Sequence, residues 1–126
     1  MNFSVALIDD DEAVRESLRE LLLAAGYQIS PFSSCAEFLN HLGGQFPDAL
    51  LLDHEMPGMT GVELAEWLSL VKLQIPILMI TANMAEQMRV RATRAGVRTI
   101  LDKPFSDHQL LTALEEVKAA PSSEEN

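Results

Sequence analysis

Apolar residues fall along this chain in two alternating patterns. Short continuous runs stopped abruptly by polar residues read as strands buried on both faces: Val5-Ala6-Leu7-Ile8 before Asp9-Asp10, and Ala49-Leu50-Leu51-Leu52 before Asp53. Ile77-Leu78-Met79-Ile80 before Thr81 and Thr99-Ile100-Leu101 before Asp102-Lys103 have the same form, while Tyr27-Gln28-Ile29-Ser30 alternates as an edge strand does. Between these runs the spacing becomes helical. Val14, Leu18, Leu21, Leu22 and Ala25 share one predicted helix face, and Gly26 is placed to end that helix in a left-handed conformation. Four later helices carry a capping side chain with Glu or Gln three residues on: Ser34 with Glu37, Thr60 with Glu63, Asn83 with Glu86, and Ser106 with Gln109. Five strands, each followed by a helix, give a (βα)5 order. That order predicts an α/β fold, a doubly wound five-stranded parallel sheet covered on both faces.

Length and charge narrow the reading. At 126 residues and 48% hydrophobic content the chain suits a single domain with a core that needs no staples. Residues 1–120 are expected to form that domain, and residues 121–126 to be a solvated tail or the start of a linker. One cysteine, Cys35, cannot close an internal disulfide, and no Cys/His cluster has zinc spacing, so a reducing, cytoplasmic setting is expected. No apolar stretch approaches the roughly 20 residues of a membrane span, and Phe3 leads straight into a strand with no basic segment before it. A formal charge of −10 argues against direct binding to nucleic acid and points to a metal or a basic partner.

In a parallel α/β sheet the carboxyl ends of the strands hold the site, and here those ends carry acids. Asp9, Asp10 and Asp53, once gathered, repel one another unless a cation neutralises them or protons are taken up. A hard divalent ion with oxygen ligands, Mg²⁺ or in its place Mn²⁺, resolves that repulsion and brings a phosphate to a place that otherwise rejects it. Thr81 and Lys103 stand at two further strand ends, and a hydroxyl and an ammonium are suitable donors to phosphoryl oxygens. With metal on one side and lysine on the other, one Asp is free to act as nucleophile.

Taken together, Leu7-Ile8-Asp9-Asp10-Asp11-Glu12, Leu52-Asp53-His54-Glu55-Met56-Pro57-Gly58-Met59-Thr60-Gly61, Ile80-Thr81-Ala82 and Asp102-Lys103-Pro104-Phe105 make the chain resemble a response-regulator receiver domain of two-component phosphorelays, from Phe3 to about Lys118. The resemblance implies the flavodoxin-like strand order 2-1-3-4-5. It also implies that Asp53 accepts phosphate from a sensor histidine kinase or a histidine phosphotransfer protein. Asp9, Asp10 and Asp53 would hold Mg²⁺ with the backbone carbonyl of Glu55, Asp10 directly and Asp9 largely through water. Thr81 and Lys103 would contact the phosphoryl group, and the Lys103-Pro104 bond would be cis. The implied protein is a switch rather than a metabolic enzyme: it supports its own phosphotransfer and a slow self-dephosphorylation.

Some positions depart from the family or stand outside its machinery. An aromatic residue usually occupies the position three before the lysine; here it is Ile100, which puts the usual aromatic switch in doubt. Glu55 and Asn83 sit where the family tunes the approach of hydrolytic water. His54 should point away from the acceptor by strand alternation, and His41 and His108 should face solvent. Asp11 and Glu12 are suited to stabilising a helix N-terminus. Trp67, the methionines and Cys35 are expected in the core. Five of the nine basic residues, Arg89, Arg91, Arg94, Arg98 and Lys103, fall between positions 89 and 103, so the fourth helix and fifth strand are expected to offer a basic face to an acidic partner or a second copy of the chain, with Arg91, Arg94 and Arg98 as its centre.

Other functions fit less well. A phosphohydrolase with an Asp nucleophile needs a second Asp two residues on, where Glu55 stands before Met56-Pro57. A flavodoxin-like cofactor binder needs a phosphate loop after the first strand, where Asp9-Asp10-Asp11-Glu12 would repel it. The remaining alternative is a receiver-like interaction module that works without phosphorylation. The segment Asp11 to Leu18 resembles receivers that precede helix-turn-helix DNA-binding domains, which hints at an output domain beyond this chain.

Overall fold

The computed structural model describes residues 2–119. Five strands, β1 (Ser4–Ile8), β2 (Gln28–Phe32), β3 (Ala49–Asp53), β4 (Ile77–Thr81) and β5 (Thr99–Asp102), alternate with five helices, α1 (Glu12–Ala24), α2 (Cys35–Asn40), α3 (Gly61–Leu70), α4 (Glu86–Arg94) and α5 (Asp107–Ala119). The sheet is parallel throughout in the order β2-β1-β3-β4-β5, as the resemblance implies. The expected tail lies outside the described residues.

Strand alternation divides the core into two layers. Ala6, Ile8, Leu50, Leu52, Ile77 and Met79 pack with Phe38 of α2, Val62, Leu64, Ala65 and Leu68 of α3 and Ala92 of α4. Val5, Leu7, Ala49, Leu51, Leu78 and Ile80 pack with Leu18 and Leu22 of α1 and Leu110, Ala113, Leu114 and Val117 of α5. Both faces of β1, β3 and β4 are therefore buried, which is why their sequences read as unbroken apolar runs. Edge strand β2 keeps Gln28 and Ser30 exposed and admits Pro31, whose missing N–H an edge tolerates.

The helix ends follow local chemistry with one exception. Asp11 caps α1 by accepting from Val14 N–H at 3.1 Å, Glu12 lies in the first turn, and Gly26 takes a φ of 98° after the helix. Thr60 and Glu63 form a reciprocal capping box, and Ser106 and Gln109 exchange the same pair of bonds at 3.0 and 2.8 Å. Ser34 accepts from Glu37 N–H, but the Glu37 carboxylate turns back to Ser33 N–H and Oγ. The exception is α4, where the expected Asn83 cap does not form. Its N-cap is Ala85, with no side-chain cap, because Met84 is drawn into the core and the first helical turn begins beyond it.

Other core expectations divide. Cys35, Met56, Met79 and Met84 are buried, and Met59 and Met88 pack partly against the same layer. Trp67 is instead 37% exposed, with Leu70 and Val71 exposed beside it at the end of α3, since Leu64, Ala65 and Leu68 already fill the face turned to the sheet. Ala25 is also exposed, one position beyond the last turn of α1.

Candidate functional site

The parallel register brings four strand ends to one edge of the sheet. Asp53 closes β3 and Thr81 closes β4; Asp9 follows β1 and Lys103 follows β5. Backbone hydrogen bonds fix these junctions: Asp9 N–H donates to Phe32 O, His54 N–H to Ile80 O, and Lys103 N–H to Thr81 O at 2.8 Å. Asp9, Asp53 and Thr81 are the buried polar residues of the described chain, at 0%, 3% and 0% exposure. A sheet this apolar keeps polar side chains in its interior only at the edge where they can meet ligands or one another.

One oxygen from each of Asp9, Asp10 and Asp53 lies within 4.8 Å of the others, with Asp10 exposed at the mouth. Asp9 Oδ1 accepts from Asp11 N–H at 2.9 Å, while its other oxygen, Oδ2, is buried with no hydrogen-bond partner. A buried carboxylate oxygen without a donor is costly. An all-carboxylate donor set with an orphaned oxygen fits a hard divalent cation, so these residues suit Mg²⁺.

Electrostatics reports the same crowding. Burial, reinforced by the neighbouring Asp9, pushes the Asp53 carboxyl up to about 6, against the lowering influence of Lys103 and of the Glu55 N–H that donates to Oδ1 at 3.2 Å. Burial also raises Asp9 above the usual carboxylate range, opposed by the Asp11 N–H and by Lys103. Lys103 Nζ stands 3.6 Å from Asp53 Oδ1, an ion pair too long for a good hydrogen bond. The Lys103-Pro104 bond is cis.

Glu55 holds a position that its place in the sequence did not disclose. Its carboxylate accepts from the Thr81 hydroxyl and, at 2.9 Å, from Ala82 N–H, so it bridges the β3–α3 and β4–α4 turns. An acid two residues after Asp53 was visible in the chain; the donors it reaches lie 26 and 27 positions away. His54 points elsewhere, with Nδ1 accepting from Val62 N–H at 3.3 Å, and Asn83, His41 and His108 are exposed. Ile100 is half-buried and packs on the layer shared by α2, α3 and α4.

The basic residues of α4 face two ways. Arg91 forms a two-pronged pair with Glu66 of α3, and Arg89 pairs with Asp102 at 2.6 Å. Arg94 is exposed in the last turn, and Arg98 N–H donates to Ile77 O. These arginines are neighbours along the chain. That proximity does not disclose Glu66 and Asp102 as acceptors.

Comparison with known proteins agrees with this geometry. The family described as response regulator receiver domain matches residues 5–115. The response regulator protein TmoT of Ectopseudomonas mendocina is 37% identical over 97% of this chain and 56% of its own length. Response regulator MprA of Mycobacterium bovis is 37% identical over 90% of this chain and 50% of its own length. The chain thus spans about half the length of these curated relatives. Among solved structures, FixJ-N superposes with a TM-score of 0.85 at 32% identity, covering 97% of this chain and 98% of that one. The response regulator StyR superposes with a TM-score of 0.83 at 42% identity, covering 92% and 59%.

Proposed function

This chain belongs to the response regulator receiver domain family, and from that premise we propose that it is a switch in which Asp53 accepts a phosphoryl group from a histidine kinase or histidine phosphotransfer protein. The observation that carries the proposal is the buried Asp53 carboxylate, gathered with Asp9 and Asp10 on one side and faced by Lys103 at 3.6 Å on the other.

An Asp53 oxygen attacks phosphorus in line with the bond to the donor imidazole. The P–O bond forms as the P–N bond breaks, and the electron pair leaves with the imidazole nitrogen. Asp9, Asp10, Asp53 and the Glu55 carbonyl would hold Mg²⁺ or Mn²⁺, which supplies positive charge and oxygen coordination for the incoming phosphoryl group. Lys103 is close enough to move from Asp53 to a phosphoryl oxygen, and the Thr81 hydroxyl and Ala82 N–H lie at the same edge as donors for others. Attack of water on phosphorus then returns the Asp53 carboxylate and inorganic phosphate, slowly.

Once phosphorylated, the site draws Thr81 toward the new oxyanion and biases the α4–β5 surface, where Ile100 replaces the aromatic residue common in the family. Arg94 and Arg98 would then meet an acidic partner or a second copy of the chain, and Arg91 would join them by leaving Glu66. One observation favours a phosphorylation-independent interaction module: the Thr81 and Ala82 donors are already engaged by Glu55.

Incubation with a small-molecule phosphodonor, with and without Mg²⁺, followed by a phosphate-affinity gel, decides between the two. Label that requires both Mg²⁺ and Asp53, and is lost in Asp53→Asn, is the expected result. A native chain that binds Mg²⁺ and takes up no phosphate would overturn the proposal in favour of the interaction module.

A further inference from the structure

Two donors stand at the head of β4, and one carboxylate takes both. The Thr81 hydroxyl is fully buried and donates to Glu55 Oε2; Ala82 N–H donates to Oε1 at 2.9 Å. Each donor carries a single hydrogen, so each serves one strong acceptor at a time. Glu55 is tethered close to the acceptor as well, since its own N–H donates to Asp53 Oδ1. Its carboxylate presents what a phosphoryl group presents: paired anionic oxygens that accept charge-assisted hydrogen bonds. Glu55 itself is exposed, so its side chain can swing into water when displaced.

We infer that Glu55 is a built-in competitor for the phosphoryl group, occupying in the unphosphorylated protein the Thr81 and Ala82 donors that a phosphoryl oxygen on Asp53 must take over. The inference rests on Asp53 being the acceptor. It adds that phosphorylation of this chain has to evict a resident anion, which holds Thr81 in place until then. Two consequences separate this role from simple repulsion by a nearby negative charge. The Ala82 amide is protected before any metal or phosphate arrives. Shortening the side chain while keeping its charge opens the site.

The test uses Glu55→Asp, one methylene shorter and unable to bridge both donors, beside Glu55→Gln, which keeps the reach and drops the charge. In the metal-free chain, hydrogen exchange at the Ala82 amide should be slower in the native protein than in Glu55→Asp. With Mg²⁺ present, beryllium trifluoride, a stand-in for the phosphoryl group, should bind Glu55→Asp about tenfold more tightly than the native chain, the scale of one charge-assisted hydrogen bond released. Equal Ala82 exchange in the two proteins overturns the inference. So does unchanged affinity in Glu55→Asp with a gain confined to Glu55→Gln, because charge alone would then be responsible. Asp53→Asn serves as the control for the underlying reading: if it binds beryllium trifluoride as the native chain does, Asp53 is not the acceptor, whatever the Ala82 amide reports.

Discussion

Lys103 Nζ and Asp53 Oδ1 are 3.6 Å apart, joined by charge past the end of β4, which lies between β5 and β3, without a tight hydrogen bond. The lysine lowers the Asp53 carboxyl against the burial that raises it. Lys103→Met should therefore raise Asp53 beyond about 6 in the metal-free chain, followed by carboxyl carbon shifts in an NMR pH titration. The same variant should slow phosphate uptake from a small-molecule donor. An unmoved Asp53 titration would show that the ammonium has no hold on the acceptor.

The raised carboxyl also fixes a pH dependence. Asp53 shifts from an ordinary 3.8 to about 6, so between those values the folded chain binds more of this proton than the unfolded chain, and its contribution to stability falls as pH rises through the window. Above it, the ionised group costs about 3 kcal/mol at 1.36 kcal/mol per pKa unit. Asp53→Asn should then stabilise the metal-free chain by up to about 3 kcal/mol at pH 7.5 and flatten the dependence between pH 4 and 6. Urea denaturation at several pH values measures both effects, and a destabilised Asn variant at pH 7.5 would contradict them. Adding Mg²⁺ should raise the melting temperature of the native chain more than that of Asp53→Asn.

Gly61 opens α3 directly beneath the acceptor strand. A Cβ at this position would lie 2.9 Å from both Asp53 O and His54 Cα, and backbone atoms cannot yield as the end of a side chain can. Gly61→Ala is expected to cost about 1–3 kcal/mol, the range for overpacking, read from the denaturant midpoint. It should also weaken Mg²⁺ binding, because relief of the clash displaces the turn that carries Asp53 and Glu55. A fully stable variant with native metal affinity would refute both expectations.

Arg91 and Arg94 are separable on α4. Arg91 is committed to Glu66 in an exposed, solvent-screened pair whose loss should barely change stability, and charge reversal there would also set two acids against each other. Arg94→Glu is the cleaner test of a partner face. Self-association of the beryllium trifluoride-treated chain, measured by sedimentation, should weaken in Arg94→Glu. If the native chain associates and the variant does so equally well, the α4 face is not the contact.

The element order, the burial of β1, β3 and β4, and the polar residues at their carboxyl ends were legible in the chain, because a strand covered on both faces by helices is an unbroken apolar run, and each run here stops at the end of the sheet that holds the site. Most helix starts were legible too, since a capping side chain acts on its own next turn. Thr60 with Glu63 and Ser106 with Gln109 need only local geometry. The rest came from packing. Met84 found room in the core and moved the start of α4 past Asn83, and Leu64, Ala65 and Leu68 filled the sheet-facing side of α3 and left Trp67 outside. The reach of Glu55 to Thr81 and Ala82, and of Arg91 to Glu66, depends on how neighbouring parallel strands and their helices are set side by side. Those contacts join residues some 25 positions apart, a separation at which local pattern carries no geometric information and only packing brings the partners together.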